Sequence, residues 1–198
     1  MDRQKAIEQL KTFITDKLNT ELPDNLYYHV TSHTLDVYHR VQYLGKQEGL
    51  SDSEIDLLRV AALFHDVGFI EQYNKNEPIG ARIAGEMLPE YDFTPEEIEE
   101  IQKMIMATEM PHKPHTLVEK IIADADMDNL GRDDFYIQTE YLRLELKLNG
   151  IEFSPRQWYG ENLPKLLEAF SYFTKTAQKD REPFKQKHLK DILELTGK

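Results

Sequence analysis

A histidine and an aspartate stand side by side at His65-Asp66, within Leu63-Phe64-His65-Asp66-Val67-Gly68, the most apolar part of the chain. Ionised aspartate is rarely buried without a partner. The partner that suits an imidazole and a carboxylate together is a cation. Further ligands can be sought as polar residues that interrupt apolar helical stripes. In the stretch 29–48 the stripe is Val30, Val37, Val41 and Leu44, and His33 fills its gap. His39 shares its face with Asp36 and Gln42 and reads as surface. In Ile121–Leu130 three aspartates alternate. Asp126 lies with Val118, Ile122, Asn129 and Leu130, which predicts an inward side chain. Asp124 and Asp128 fall on the polar line of Lys120, which predicts outward or rim positions.

Four inward polar residues result: His33, His65, Asp66 and Asp126. Two imidazoles and two carboxylates form a mixed nitrogen–oxygen set, suited to manganese, iron, cobalt, nickel or zinc better than to calcium. Each residue alone has a plainer reading. A core histidine is more often hydrogen-bonded than metallated, and an Asp-x-Asp-x-Asp run is usually a solvated face. The combination carries more weight, because each inward group otherwise needs its own buried partner.

Helices must position these groups. An amphipathic helix is predicted over 3–18 from Ile7, Leu10, Ile14 and Leu18, with a break at Leu22-Pro23-Asp24-Asn25. A second spans about 29–48. Ser51-Asp52-Ser53-Glu54 is a capping box opening a third, which carries Ala61, Ala62 and His65. Residues 69–76 read as loop and 77–88 as helix. Thr94-Pro95-Glu96-Glu97 starts another helix, reaching about Thr108. A proline-punctuated loop follows at 110–115, then helices at about 117–130, 133–149 and 155–180, the last disturbed near Pro164. Pro183 is expected to set off a final helix at 185–196. No strand-like alternation or repeat is visible. The expectation is one all-α domain over 1–198, a bundle of about 8–10 helices with its motif-bearing core at about 28–135.

Composition sets the outer limits. The chain has 198 residues, 40% apolar and 30% charged, which is an ordinary globular balance. Its net charge of −12 argues against a nucleic-acid polymer as partner. There is no cysteine, so disulfides and thiolate zinc sites are excluded. No apolar run approaches the roughly 20 residues needed to span a bilayer. The reading is a soluble, cytoplasmic protein.

The runs HVTSHTLDV, LFHDVG and ADADMDNLGR, in that order, resemble the HD-domain superfamily of metal-dependent phosphohydrolases, whose pattern is H…HD…D. The resemblance spans roughly Tyr28 to Phe135 and is strongest to small stand-alone bacterial members. It implies an all-helical fold, with His33, His65, Asp66 and Asp126 holding one divalent ion (Mn, Fe, Co, Ni, Zn or Mg). It also places His29 near the substrate, the plainer reading being a surface residue at a helix start. Two departures matter. Where relatives carry a His-Glu pair, this chain has Asn76-Glu77. Where two-metal relatives carry further histidines, it has Met106-Ala107-Thr108-Glu109, with His112 and His115 only beyond. One metal is therefore expected.

The implied activity is hydrolysis of a phosphoester or pyrophosphate bond in a small molecule of the nucleotide kind. Asp66 and Glu77 are the candidate catalytic carboxylates, with Glu71 a lesser one. His29, Lys113 and Arg132 are candidate substrate-binding residues, and Lys75 is a further cation. Two other readings stay open: a non-catalytic metal- or nucleotide-binding regulatory module, and a di-iron oxygenase of the HD type. A homodimer is also left open.

Overall fold

The computed structural model describes residues 2–197, and among these all regular structure is helical, with no strand. The main helices are α1 (Arg3–Glu21), α2 (Thr31–Gln47), α3 (Asp52–Phe64), α4 (Asn76–Met87), α5 (Pro95–Met106), α6 (Leu117–Asp126) and α7 (Phe135–Leu148). Beyond them lie α8 (Pro155–Gln157), a π turn at Trp158–Asn162, α9 (Leu163–Ala169), α10 (Lys175–Asp180) and α11 (Glu182–Thr196).

Helix starts follow local chemistry. Ser51 with Glu54, Thr94 with Glu97 and Thr116 with Glu119 each form a reciprocal capping box, opening α3, α5 and α6. α3 is the central element. Leu58, Val60, Ala61, Ala62, Leu63 and Phe64 are all fully buried, so it is apolar on every side and must be wrapped. α1, α2, α4, α5 and α6 surround it. Ile7, Leu10, Ile14 and Leu18 of α1 are buried as the periodicity predicts, while Phe13 stands out.

Two glycines allow close approach at the end of α3. A Cβ on Gly80 would lie 2.6 Å from the Phe64 carbonyl oxygen, and one on Gly68 would lie 2.0 Å from that of Asn76. Without side chains at these two points, α4 lies directly on the turn that carries His65 and Asp66.

The sequence-based expectation needs correction in three places. Residues 155–180 do not form one disturbed helix: Phe170–Thr174 is non-helical and joins two short helices. Pro183 sits inside the first turn of α11, where a missing N–H costs nothing. Asp124 and Asp128 are buried, not rim residues. Asp124 is fully enclosed and accepts hydrogen bonds from the Phe173 and Thr174 N–H groups, both 2.8 Å, and from Thr174 Oγ1 at 2.7 Å. It thereby satisfies the backbone of the non-helical segment. Asp128 pairs with Arg40 at 2.6 Å and Arg181 at 2.8 Å.

Asp124→Ala leaves those donors buried without an acceptor. An unmade buried hydrogen bond costs about 1–3 kcal/mol, so the variant should lose about 3 kcal/mol or more in urea unfolding. A surface-like loss of under about 0.5 kcal/mol would contradict this role.

Candidate metal centre

His33 projects from the first turn of α2. His65 caps the C-terminus of α3, Asp66 stands between α3 and the 3-10 turn Val67–Ile70, and Asp126 is the last residue of α6. The donor atoms converge. His33 Nε2 lies 3.0 Å from Asp126 Oδ1, 3.5 Å from Asp66 Oδ2 and 3.4 Å from His65 Nε2. His65 Nε2 lies 3.2 Å from Asp66 Oδ2 and 3.6 Å from Asp126 Oδ1. One ligand atom each from His33, His65 and Asp66 falls within a mutual 4.8 Å.

These spacings suit an enclosed ion. Ligand atoms bound at about 2.1 Å lie about 3.0 Å apart at right angles and about 3.4 Å apart in a tetrahedron. The tautomer suits it as well. His65 Nδ1 is 2.7 Å from the Ala62 carbonyl. A carbonyl only accepts, so Nδ1 carries a hydrogen and a neutral His65 presents a bare Nε2 to the cluster. Asp66 Oδ2 is buried and receives no hydrogen bond, whereas Oδ1 is approached by Asn76 Nδ2 at 3.4 Å.

The electrostatics call for positive charge. Burial works against charging His65, but Asp66 and Asp126 outweigh it and its pKa is raised well above the usual imidazole value. Burial pushes Asp126 and Asp66 up, yet the two histidines more than offset this and both are held low. A divalent ion supplies the same compensation without protons.

A cavity of about 400 Å³ opens beside the cluster, with Asp66, Asp126, His29, Tyr73, Asn76 and Glu77 in its wall and Leu142, Leu146 and Leu166 at its apolar side. His29 stacks on Phe69, with ring centroids 4.4 Å apart. Its Nδ1 is 2.5 Å from Glu145 Oε1. Glu145, on α7, is fully buried. It also accepts the N–H groups of Tyr27, Tyr28 and His29 at 2.9–3.0 Å and the Tyr73 hydroxyl at 3.2 Å. Burial would lower His29, but the hydrogen bond to Glu145 and the nearby carboxylates raise it. Burial, then Glu109, Asp66 and Asp126, raise Glu77.

Other sequence candidates lie elsewhere. Lys113 is exposed, in a separate surface recess with Gln102, Lys103 and His115, because the 110–115 loop turns it away from the cavity. Glu71 is tied to Arg82 at 2.7 Å. Arg132 borders a small recess on the other side of His33 and Asp126, held by Asp36 at 2.7 Å and Asp134 at 2.8 Å. Lys75 reaches the cavity wall. His112 packs on Phe170 and His115 is exposed. Sequence reasoning missed Glu145 and the hydrogen-bonding role of Asn76. Glu145 falls 116 residues from His29, and no local pattern marks it.

Residues 30–128, half of the chain, match the family model of the HD domain. The chain belongs to the HD-domain family. No curated protein matches it. Three solved structures share the fold. One is a predicted HD superfamily hydrolase from an uncultured Thermotogales bacterium, 20% identical over 94% of this chain and 91% of that one, with a TM-score of 0.63. Another is Bacillus subtilis YpgQ in complex with ADP, 16% identical over 98% and 96%, with a TM-score of 0.67. The third is a Lactobacillus plantarum protein, 16% identical over the full length of both chains, with a TM-score of 0.69. Family, fold and His/Asp cluster together support a metal-dependent hydrolase. No helix among the described residues is long and apolar enough to cross a membrane.

Glu145→Ala deprives three backbone N–H groups, His29 and Tyr73 of their acceptor. Stability should fall by about 3 kcal/mol, read as a lower urea midpoint with unchanged slope. An unchanged midpoint would show that this network carries no load.

Proposed function

We propose that the chain is a metal-dependent phosphohydrolase acting on a small phosphorylated molecule of the nucleotide class. The observation that carries this reading is Asp66 Oδ2, a buried carboxylate oxygen with no hydrogen bond, facing two imidazole nitrogens at 3.2 and 3.5 Å. On this reading His33, His65, Asp66 and Asp126 hold one divalent ion. When bound, that ion supplies Lewis-acid polarisation of a phosphoryl oxygen and a lowered water pKa.

The protein groups do the rest. Asp66, steadied by Asn76, orients the attacking water through its carboxylate. The water oxygen forms a bond to phosphorus as one of its protons passes to solvent, from which Glu77 is later reprotonated, and the bond to the leaving oxygen breaks. Glu77, its carboxyl pushed up by burial, holds a proton near that oxygen and gives it up as the bond breaks. His29, kept cationic by Glu145, offers an N–H and a positive charge to a phosphate. Arg132 drops out, because it lies outside the cavity and is held by Asp36 and Asp134. Lys113 drops out because the cavity does not include it. The apolar side at Leu142, Leu146 and Leu166 suits an organic moiety such as a base, and ADP is found with the structurally similar YpgQ. The whole chain acts as one domain, since α10 packs on α2, and α11 on the turn that follows α6. The single cluster of His and Asp among the described residues favours one ion over a di-iron oxygenase site.

The test is phosphate release from nucleotides with manganese, magnesium, cobalt or nickel. Turnover should appear only with metal and vanish in His65→Ala. Glu77→Gln should lose at least about 10²-fold in kcat. Because a donor must be protonated, wild-type activity should fall as pH rises through the elevated Glu77 pKa. That limb should be absent from the residual activity of Glu77→Gln. Equal turnover by metal-free His65→Ala, or none by metal-loaded wild type on any nucleotide, would refute the assignment.

A further inference from the structure

α7 has two apolar faces. One, with Phe135, Leu142 and Leu146, packs inward against the core and cavity. The opposite face carries Ile137, Tyr141, Leu144 and Leu148, continued by Ile151, and these are 56%, 43%, 37%, 48% and 41% exposed. Of thirteen large apolar side chains standing out among the described residues, six lie between Tyr136 and Ile151. A cluster of exposed large apolar side chains of this kind, where the other exposed ones are scattered, marks an interaction surface.

The spacing says what covers it. Within α7, positions 137, 141, 144 and 148 step by four, three and four, a heptad seam made to meet another helix; Ile151 lies just past the helix end, beyond the turn at Gly150. The seam is centred on Leu144. Polar residues flank one side, with Glu140 before the centre and Lys147 after it. A two-fold axis near Leu144, running two copies of α7 antiparallel, sets Leu144 against its own counterpart and Ile137 beside the turn at Gly150 that ends α7 of the second copy. It also brings Glu140 opposite Lys147 in both halves, so the pattern is self-complementary in shape and charge. Within one chain Glu140 already holds Arg143 at 2.6 Å, and Lys147 holds Glu152 at 2.8 Å. Both pairs lie at the rim, where they can share partners.

We infer that this face of α7 is a homodimer interface, an antiparallel two-helix seam centred on Leu144. It stands independently of the reaction assigned to the cluster. It also has a structural consequence: α7 carries Glu145 on the flank that holds His29, so pairing braces the wall of the cavity.

The test uses the full chain in sedimentation equilibrium, with cysteine cross-linking as the second readout. The wild type should sediment at twice 23.3 kDa. Leu144→Arg places two like charges on the axis and should return it to one chain, with helical circular dichroism retained. The protein has no cysteine of its own. Leu144→Cys should therefore oxidise to a covalent dimer, while Leu195→Cys, at an 82% exposed site outside the seam, should not. A wild type that stays monomeric at every concentration, or a dimer that survives Leu144→Arg, overturns the proposal. So does equal cross-linking through both cysteines. If Leu144→Arg fails to fold, the cysteine pair decides the matter alone.

Discussion

Two imidazole nitrogens, each 3.0–3.6 Å from both of two carboxylates, cannot stand in a buried place without positive charge among them. That constraint organises the rest of the molecule. The chain can answer with protons, and the shifts of His65, Asp66 and Asp126 are the sign of that answer. A divalent cation answers it better, because it also uses Asp66 Oδ2, a buried oxygen that accepts no well-aligned hydrogen bond. Everything nearby serves to hold the four groups together: the apolar α3 that ends at His65, the two glycines that admit α4, and the end of α6 at Asp126.

Around this centre the chain places buried carboxylates as structural acceptors. Glu145 gathers the chain before α2 by taking three consecutive backbone N–H groups. Asp124 does the same for the non-helical segment before α10. Asp128 is held between two arginines from α2 and the C-terminal region. Each ties a distant stretch to the helices that bear the cluster. Part of the acidity behind the net charge of −12 is thus spent inside, on backbone and arginine.

How much of this could be read beforehand follows the range of the interaction. Capping boxes act over three residues, so the starts of α3 and α5 were legible at Ser51 and Thr94. His33, His65 and Asp66 interrupt apolar periodicity and were legible for that reason. Asp124 was misjudged because helical periodicity carries no news of a partner 50 residues on. Glu145 was invisible for the same reason. Lys113 was proposed on charge alone, and charge does not say which way a loop turns. The segment 155–180 was read as one helix disturbed only near Pro164, because its apolar residues keep helical spacing across Phe170–Thr174. The buried acceptor at Asp124, not the local sequence, makes the break affordable.

The central claim is that these four side chains close on one cation. Crystals grown with manganese, measured at a wavelength where it scatters anomalously, test it most directly. The account predicts one strong peak per chain, about 2.1–2.2 Å from His33 Nε2, His65 Nε2, Asp66 Oδ2 and Asp126 Oδ1, lost in Asp66→Asn. A peak elsewhere, or four groups hydrogen-bonded to one another with no ion between them, would contradict it.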